Sequence, residues 1–299
     1  MFDFRYHALS LAAVLFALTL GVLIGIAIGD SNLVSSAKNG IVHNLNSELD
    51  EAHQQVETLQ SKLRSEEAFA GGLYPLAVHE LLSGRSIGLL FLGASSDQIN
   101  ALVRAAVAQA DGSVATVAAV REPLDLPGIA QAASGTHYAE LGGSSALIER
   151  FGELVGRQLV SGGQLVRKEL LSRVRSNLLS AFDGQLTRLE GLVVVRAEPQ
   201  QQTPEQSEVS TRFAAGVLAG VAAVGVPAVG VELAAAEPSQ VPWFKAHKIS
   251  SVDDLDRPAG RAALVYALSG SHGSFGIKPT AGSLLPPVTG AAGAAPTGP

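Results

Sequence analysis

The feature that most constrains this chain is its longest uncharged apolar stretch, Ala8 to Ile28. At about 1.5 Å per residue its roughly 21 residues reach about 31 Å as a helix, which matches a hydrocarbon core of about 30 Å. A membrane-spanning helix is the expectation. Within the stretch every fourth residue is small: Ala13, Ala17, Gly21, Gly25 and Gly29. Glycine disfavours helices in water, so this register points to close backbone approach between membrane helices. A cleaved signal peptide is the competing reading, because Ala27-Ile28-Gly29 resembles a small-x-small cleavage site. The apolar run, however, exceeds the usual h-region of about 7–15 residues, which favours an uncleaved anchor. Arg5 and His7 precede the span and Asp30 follows it, so the charge bias places the N-terminus in the cytoplasm and the main domain outside.

A second apolar pattern begins at Val42. Val42, Leu45, Leu49, Ala52, Val56, Leu59 and Leu63 alternate steps of three and four, the seam of about three coiled-coil heptads. β-Branched residues and leucine at a, with leucine at d, favour a parallel dimer. The alternative is an amphipathic helix folded onto its own domain, because Asn46, His53 and Gln60 at e and Gln55 at g leave few charged flanks. Gly40 is expected to interrupt the helix between membrane and seam, and Gly71 with Gly72 to end it. The expected organisation is an anchor over 1–30, a coiled coil over 31–70, an extracytoplasmic domain over 71–280 and a disordered Pro/Gly/Ala-rich tail over 281–299.

The remaining chain reads as α/β. Ser86 to Leu92, Ser113 to Val120, Leu192 to Arg196 and Ala228 to Leu233 are short apolar runs without polar alternation, as in strands covered on both faces. Helices are expected after a Ser95/Gln98 capping box, and near 145–159, 165–179, 207–223 and 260–268. Strands alternating with helices imply a three-layer domain with a mostly parallel sheet, Rossmann-like or flavodoxin-like. In such sheets ligands bind beyond the carboxyl ends of the strands, which directs attention to residues 93–97, 121–123, 196–203 and 232–239.

No decisive catalytic motif occurs in these segments. The dinucleotide and P-loop patterns are absent, as is the strand-to-helix nucleophile elbow. Ser271-His272 with Asp253, Asp254 or Asp256 match a hydrolase by residue type alone, and the chain is read as a non-enzyme. A net charge of −6 with scattered basic residues argues against nucleic acid as a partner. The oddest soluble segment is Gly270-Ser-His-Gly-Ser-Phe-Gly276, followed by Ile277 and Lys278. Its glycines either cap a helix and turn the chain, or Gly270, His272, Gly273, Gly276 and Lys278 form a loop that meets a ligand or partner.

The opening Phe2-Asp-Phe-Arg-Tyr-His-Ala-Leu-Ser-Leu-Ala-Ala-Val-Leu15 with its Gly21/Gly25 continuation resembles that of the actinobacterial MctB family, the mycobacterial copper transport protein B group. The coiled coil, Ser250-Ser-Val-Asp-Asp-Leu-Asp256, Gly260-Arg-Ala-Ala-Leu-Val-Tyr-Ala-Leu268 and the Gly270–Lys278 segment running to Leu284-Leu-Pro-Pro287 extend the likeness over nearly the whole chain. The resemblance implies copper homeostasis and export in the cell envelope, with copper as the implied metal. Cu(I) prefers thiolate and thioether donors, but the chain has no cysteine and its one methionine is Met1. That leaves imidazole, and His247 with His272, brought together by folding, is the candidate pair. The expected assembly is a homodimer or higher homo-oligomer at the membrane, with other envelope proteins as further partners.

Overall fold

The computed structural model describes residues 4–29, 31–162, 168–197 and 202–287. The chain divides into two compact units, Met1–Glu66 and Glu67–Pro299. The first contains α1, Phe4–Ile28, whose segment Tyr6–Ala27 is long and apolar enough to cross a membrane. It also contains most of α2, Ser31–Val78. Gly40 does not interrupt α2, and Gly71 and Gly72 do not end it; even Pro75 lies inside. At the end of α2 tertiary contacts outweigh the intrinsic cost of Gly71, Gly72 and Pro75. Val78 is fully buried, Tyr74 Oη donates to the Ala106 carbonyl at 3.4 Å, and the Ala77 carbonyl accepts from Tyr266 Oη at 2.9 Å.

The second unit is a three-layer α/β domain. Its strands are β1 (Ser86–Leu92), β2 (Ser113–Val120), β3 (Leu179–Gly184), β4 (Gly191–Arg196), β5 (Ala228–Val231), β6 (Ser250–Val252) and β7 (Ser274–Phe275). They form one sheet in the order β3-β2-β1-β4-β5-β6-β7, parallel throughout except for β3 against β2. This is the Rossmann strand order with a reversed edge strand and one strand added. Residues 179–184, the start of which was expected to finish a helix, instead supply β3.

Successive strand side chains point to opposite faces, so the continuous apolar runs feed two cores. Leu90, Leu92, Leu192 and Val194 pack with Phe151, Leu178 and Phe213 under α4 (Leu126–Ala132), α5 (Ser145–Val160), α6 (Lys168–Leu178) and α7 (Pro204–Val224). Ile87, Leu89, Phe91, Val193 and Val195 pack with Val78, Val103, Val107 and Leu264 under α3 (Asp97–Gln109), α9 (Pro258–Ser269) and the end of α2. The short α8 spans Val241–Ala246.

Local signals shift by a residue or two. Ser96, not Ser95, caps α3, accepting from the Ile99 N–H at 3.3 Å. The capping box belongs to α7, between Thr203 and Gln206. Part of the tail expected to be disordered is built into the sheet edge, where Gly282 N donates to Ser274 O at 2.7 Å and Gly276 N to Ser283 O at 3.0 Å. The rest of that tail, from 288, lies outside the described residues, as do 163–167 and 198–201.

α5 and α7 approach more closely than ordinary side chains allow. Gly152 and Gly156 on α5 meet Gly216 and Gly220 on α7; a β-carbon on Gly156 would stand 2.1 Å from the Val217 carbonyl oxygen, and one on Gly220 2.1 Å from that of Glu153. This is the small-x-x-x-small spacing that lets two helix backbones approach closely.

Candidate functional site

The chain reverses its direction of travel across the sheet between β1 and β4, the point at which doubly wound sheets open a crevice beyond their carboxyl ends. A cleft of about 540 Å³ lies on that side, lined among others by Ile99, Arg196, Val231, Glu232, Leu233 and Gln240.

Its polar groups come from residues immediately after the strands. Arg196 ends β4; its guanidinium stacks over the Trp243 ring at 4.7 Å from the centroid and donates to Gln240 Oε1. Glu232 follows β5 and is 3 % exposed. Its carboxylate accepts from Ser239 Oγ at 2.7 Å, from Gln240 N at 2.6 Å and from Lys278 Nζ at 2.6 Å. Lys278 also donates to the Ala236 carbonyl at 2.6 Å, so one ion pair ties the loop after β5 to the segment after β7. A buried carboxylate with this many donors is a structural anchor, because each donor offsets part of its desolvation.

Aspartates follow β6. Asp253 accepts from Ile277 N at 2.8 Å and Lys278 N at 3.3 Å, and a β-carbon at Gly276 would stand 1.9 Å from its Oδ1. Gly276 also has φ +133°, so this tight turn requires glycine twice over. Asp256 Oδ1 accepts from Ala234 N at 2.8 Å. Asp254 differs: it is fully buried, and neither carboxylate oxygen has a hydrogen-bond donor from another residue. Burial, and secondarily the charge of Asp253, pushes its carboxyl up to about 6. Glu122, after β2, is also raised by burial, with Arg196 and then Ser210 opposing the shift.

The first expected loop, Gly93–Asp97, is occupied by helix capping: Ser96 is committed to Ile99, and Asp97 puts a negative charge in the first turn of α3. An anion there would meet like charge. The residues matched to a hydrolase do not converge. Asp253, Asp254 and Asp256 lie beyond the carboxyl end of β6, whereas Ser271 and His272 precede the amino end of its parallel neighbour β7.

The same topology divides the expected ligand loop. β7 runs through its middle, so Gly270, His272 and Gly273 lie before the strand and Gly276 and Lys278 beyond it. Gly270 closes α9, with φ +125° and its N–H on the Ala267 carbonyl. His247 caps α8; its Nδ1 is 2.8 Å from the Trp243 carbonyl and its ring 4.2 Å from that of Trp243. His272 is exposed. The described contacts of these two histidines do not include one another, and no group of three or more His, Asp or Glu able to hold a metal occurs among the described residues.

Sequence reasoning missed the Glu232–Lys278 pair, the Arg196–Trp243–Gln240 stack and the isolation of Asp254. A usable signal existed for the first: Glu232 is a charge directly after an apolar strand, where parallel sheets place polar groups that meet at the crevice.

In the first unit, Gly21 and Gly25 have no atom within 4 Å of where a β-carbon would stand. Ala13, Ala17 and Gly29 are likewise exposed on α1. Along the α2 seam Val42, Leu45, Leu49, Val56, Leu59 and Leu63 are 47–64 % exposed, and Ala52 is exposed with them.

A family model described as "Copper transport outer membrane protein, MctB" matches residues 1–286. Among curated proteins, "Copper transporter MctB" of Mycobacterium bovis and that of Mycobacterium tuberculosis are each 27 % identical to this chain over 308 aligned positions, covering 92 % of it and 96 % of their own length.

Proposed function

The chain belongs to the MctB family, and from that premise we propose that it serves copper transport in the cell envelope as a membrane-anchored, non-catalytic assembly component. In this reading α1 crosses a membrane once with its N-terminus cytoplasmic, the α/β domain stands outside, and copies associate through the small-residue stripe and the α2 seam. The observation that carries the assembly reading is the seam: six large apolar side chains that, with Ala52, keep three/four spacing along α2 and are about half exposed or more. The polar groups of the crevice favour a structural over a catalytic role, since Glu232, Asp253 and Asp256 are each engaged in holding neighbouring loops.

Copper is the cargo implied by the family, and the second reading is an envelope scaffold with no metal role. That alternative draws on the donor chemistry: a chain without cysteine, whose only methionine is Met1, has no thiolate or thioether relay for Cu(I). Two measurements test the proposal. Calorimetric titration of the full chain in detergent with Cu(I) and Cu(II) separates the readings, with His247→Ala and His272→Ala as variants. Binding lost in those variants supports a histidine-borne copper site; affinity no tighter than millimolar removes it. Single cysteines at Val42 or Val56 are expected to crosslink copies on oxidation, and a cysteine at the outward Ser47 is not. Failure of both seam positions would end the assembly reading.

A further inference from the structure

We propose that a second apolar face, formed by Phe69, Leu73 and Leu76 near the end of α2, docks against the same face of a second, parallel copy of this chain. This rests on the assembly reading above but concerns the α/β unit, whose surface carries these residues.

The three are 70 %, 46 % and 76 % exposed. Their spacing of four and three residues places them on one face of a helix. The other side of that helix is held rigidly: Val78 is fully buried, Tyr74 bonds to Ala106 and lies under the Arg261 guanidinium at 5.7 Å, and Tyr266 bonds to the Ala77 carbonyl. The domain therefore presents Phe69, Leu73 and Leu76 outward as a fixed apolar ridge.

Two observations select a second copy as the occupant. The first is spacing. From Leu63, steps of three through Glu66 reach Phe69, then four to Leu73 and three to Leu76. The interval is a stammer, which overwinds a helical pair locally and sets one charged residue, Glu66, in the seam between Leu63 and Phe69. The second is charge. Lys62 and Glu67 occupy g and e of the heptads, so a parallel in-register pair sets each Lys62 against the partner's Glu67, which are of opposite sign.

The chain's lack of cysteine makes the test direct. Leu73→Cys, Val56→Cys and Ala139→Cys are introduced singly into the full chain in membranes and oxidised; Ala139 is exposed on the helical layer covering the opposite sheet face. Disulfides form only at Cβ separations near 4 Å, so Leu73→Cys is expected to yield covalent homodimer at least about tenfold more than Ala139→Cys. Crosslinking at Val56 but not at Leu73 overturns this inference and leaves the seam intact. Crosslinking at neither overturns both. A Leu73→Cys adduct with a different protein overturns the second copy as occupant.

Discussion

A β-carbon placed on Gly216 of α7 would stand 2.1 Å from the carbonyl oxygen of Glu149 on α5. The obstruction is backbone, which cannot rotate away as a side chain can. Close approach of these two helices therefore depends on hydrogen atoms at Gly152, Gly156, Gly216 and Gly220.

Gly216→Ala is accordingly expected to force the helices apart and cost about 3 kcal/mol, the upper end of the usual range of about 1–3 kcal/mol for overpacking a well-filled core. Gly225→Ala is the contrast: Gly225 has open space around it but φ +75°, so strain alone should cost about 1 kcal/mol. Denaturant midpoints of the two variants measure the difference. Equal losses would mean that helix contact is looser than the geometry indicates.

Asp254 predicts a pH dependence. Its carboxyl is raised from an ordinary 3.8 to about 6 in the folded state, so folding binds its proton more tightly. This group's contribution to stability is fully present below pH 3.8, is lost as pH rises towards 6, and leaves a buried unpaired charge above that. The gap corresponds to about 3 kcal/mol. Asp254→Asn should therefore unfold at higher denaturant than the parent at pH 7.5, with the advantage shrinking towards pH 4. A constant difference across that range would rule out the isolated carboxylate as its source.

Removing one partner of the Glu232–Lys278 pair should be worse than removing both. Lys278→Met leaves Glu232 buried with its charge uncompensated, which is expected to cost about 3–5 kcal/mol. Glu232→Leu combined with Lys278→Met should cost less than Lys278→Met alone. Thermal unfolding of the two variants checks the order, and the reverse order would show that Ser239 and Gln240 suffice to hold the carboxylate.

In α1, Gly21→Leu with Gly25→Leu should lower energy transfer between fluorescently labelled copies in bilayers several-fold if the stripe packs helix on helix. Unchanged transfer would assign association to α2 alone.

Much of the architecture was legible because its cause is local. Two-face burial makes β1, β2 and β4 continuous apolar runs, and the three/four spacing from Val42 to Leu63 needs no knowledge of the rest of the chain. Helix ends were less legible: Gly71, Gly72 and Pro75 favour termination, but Tyr74 and Val78 are held by residues distant in sequence. The same limit hid β3, an edge strand of mostly exposed residues that is defined by its pairing with β2.

The crevice separates the two kinds of information most clearly. Residue type alone grouped His272 with Lys278 and Ser271 with the aspartates, because neighbours in sequence look like neighbours in space. Strand direction undoes that: β7 separates Gly273 from Gly276, and Ser271 precedes β7 whereas the aspartates follow its parallel neighbour β6. By itself, then, the sequence determined the apolar helix, the three/four apolar spacing from Val42 to Leu63 and the α/β class, all consequences of patterning along one stretch. Tertiary structure alone decided which glycines touch, which carboxylates are paired and that Asp254 is buried without a hydrogen-bond donor from another residue. Those depend on what distant segments bring to the same few ångströms.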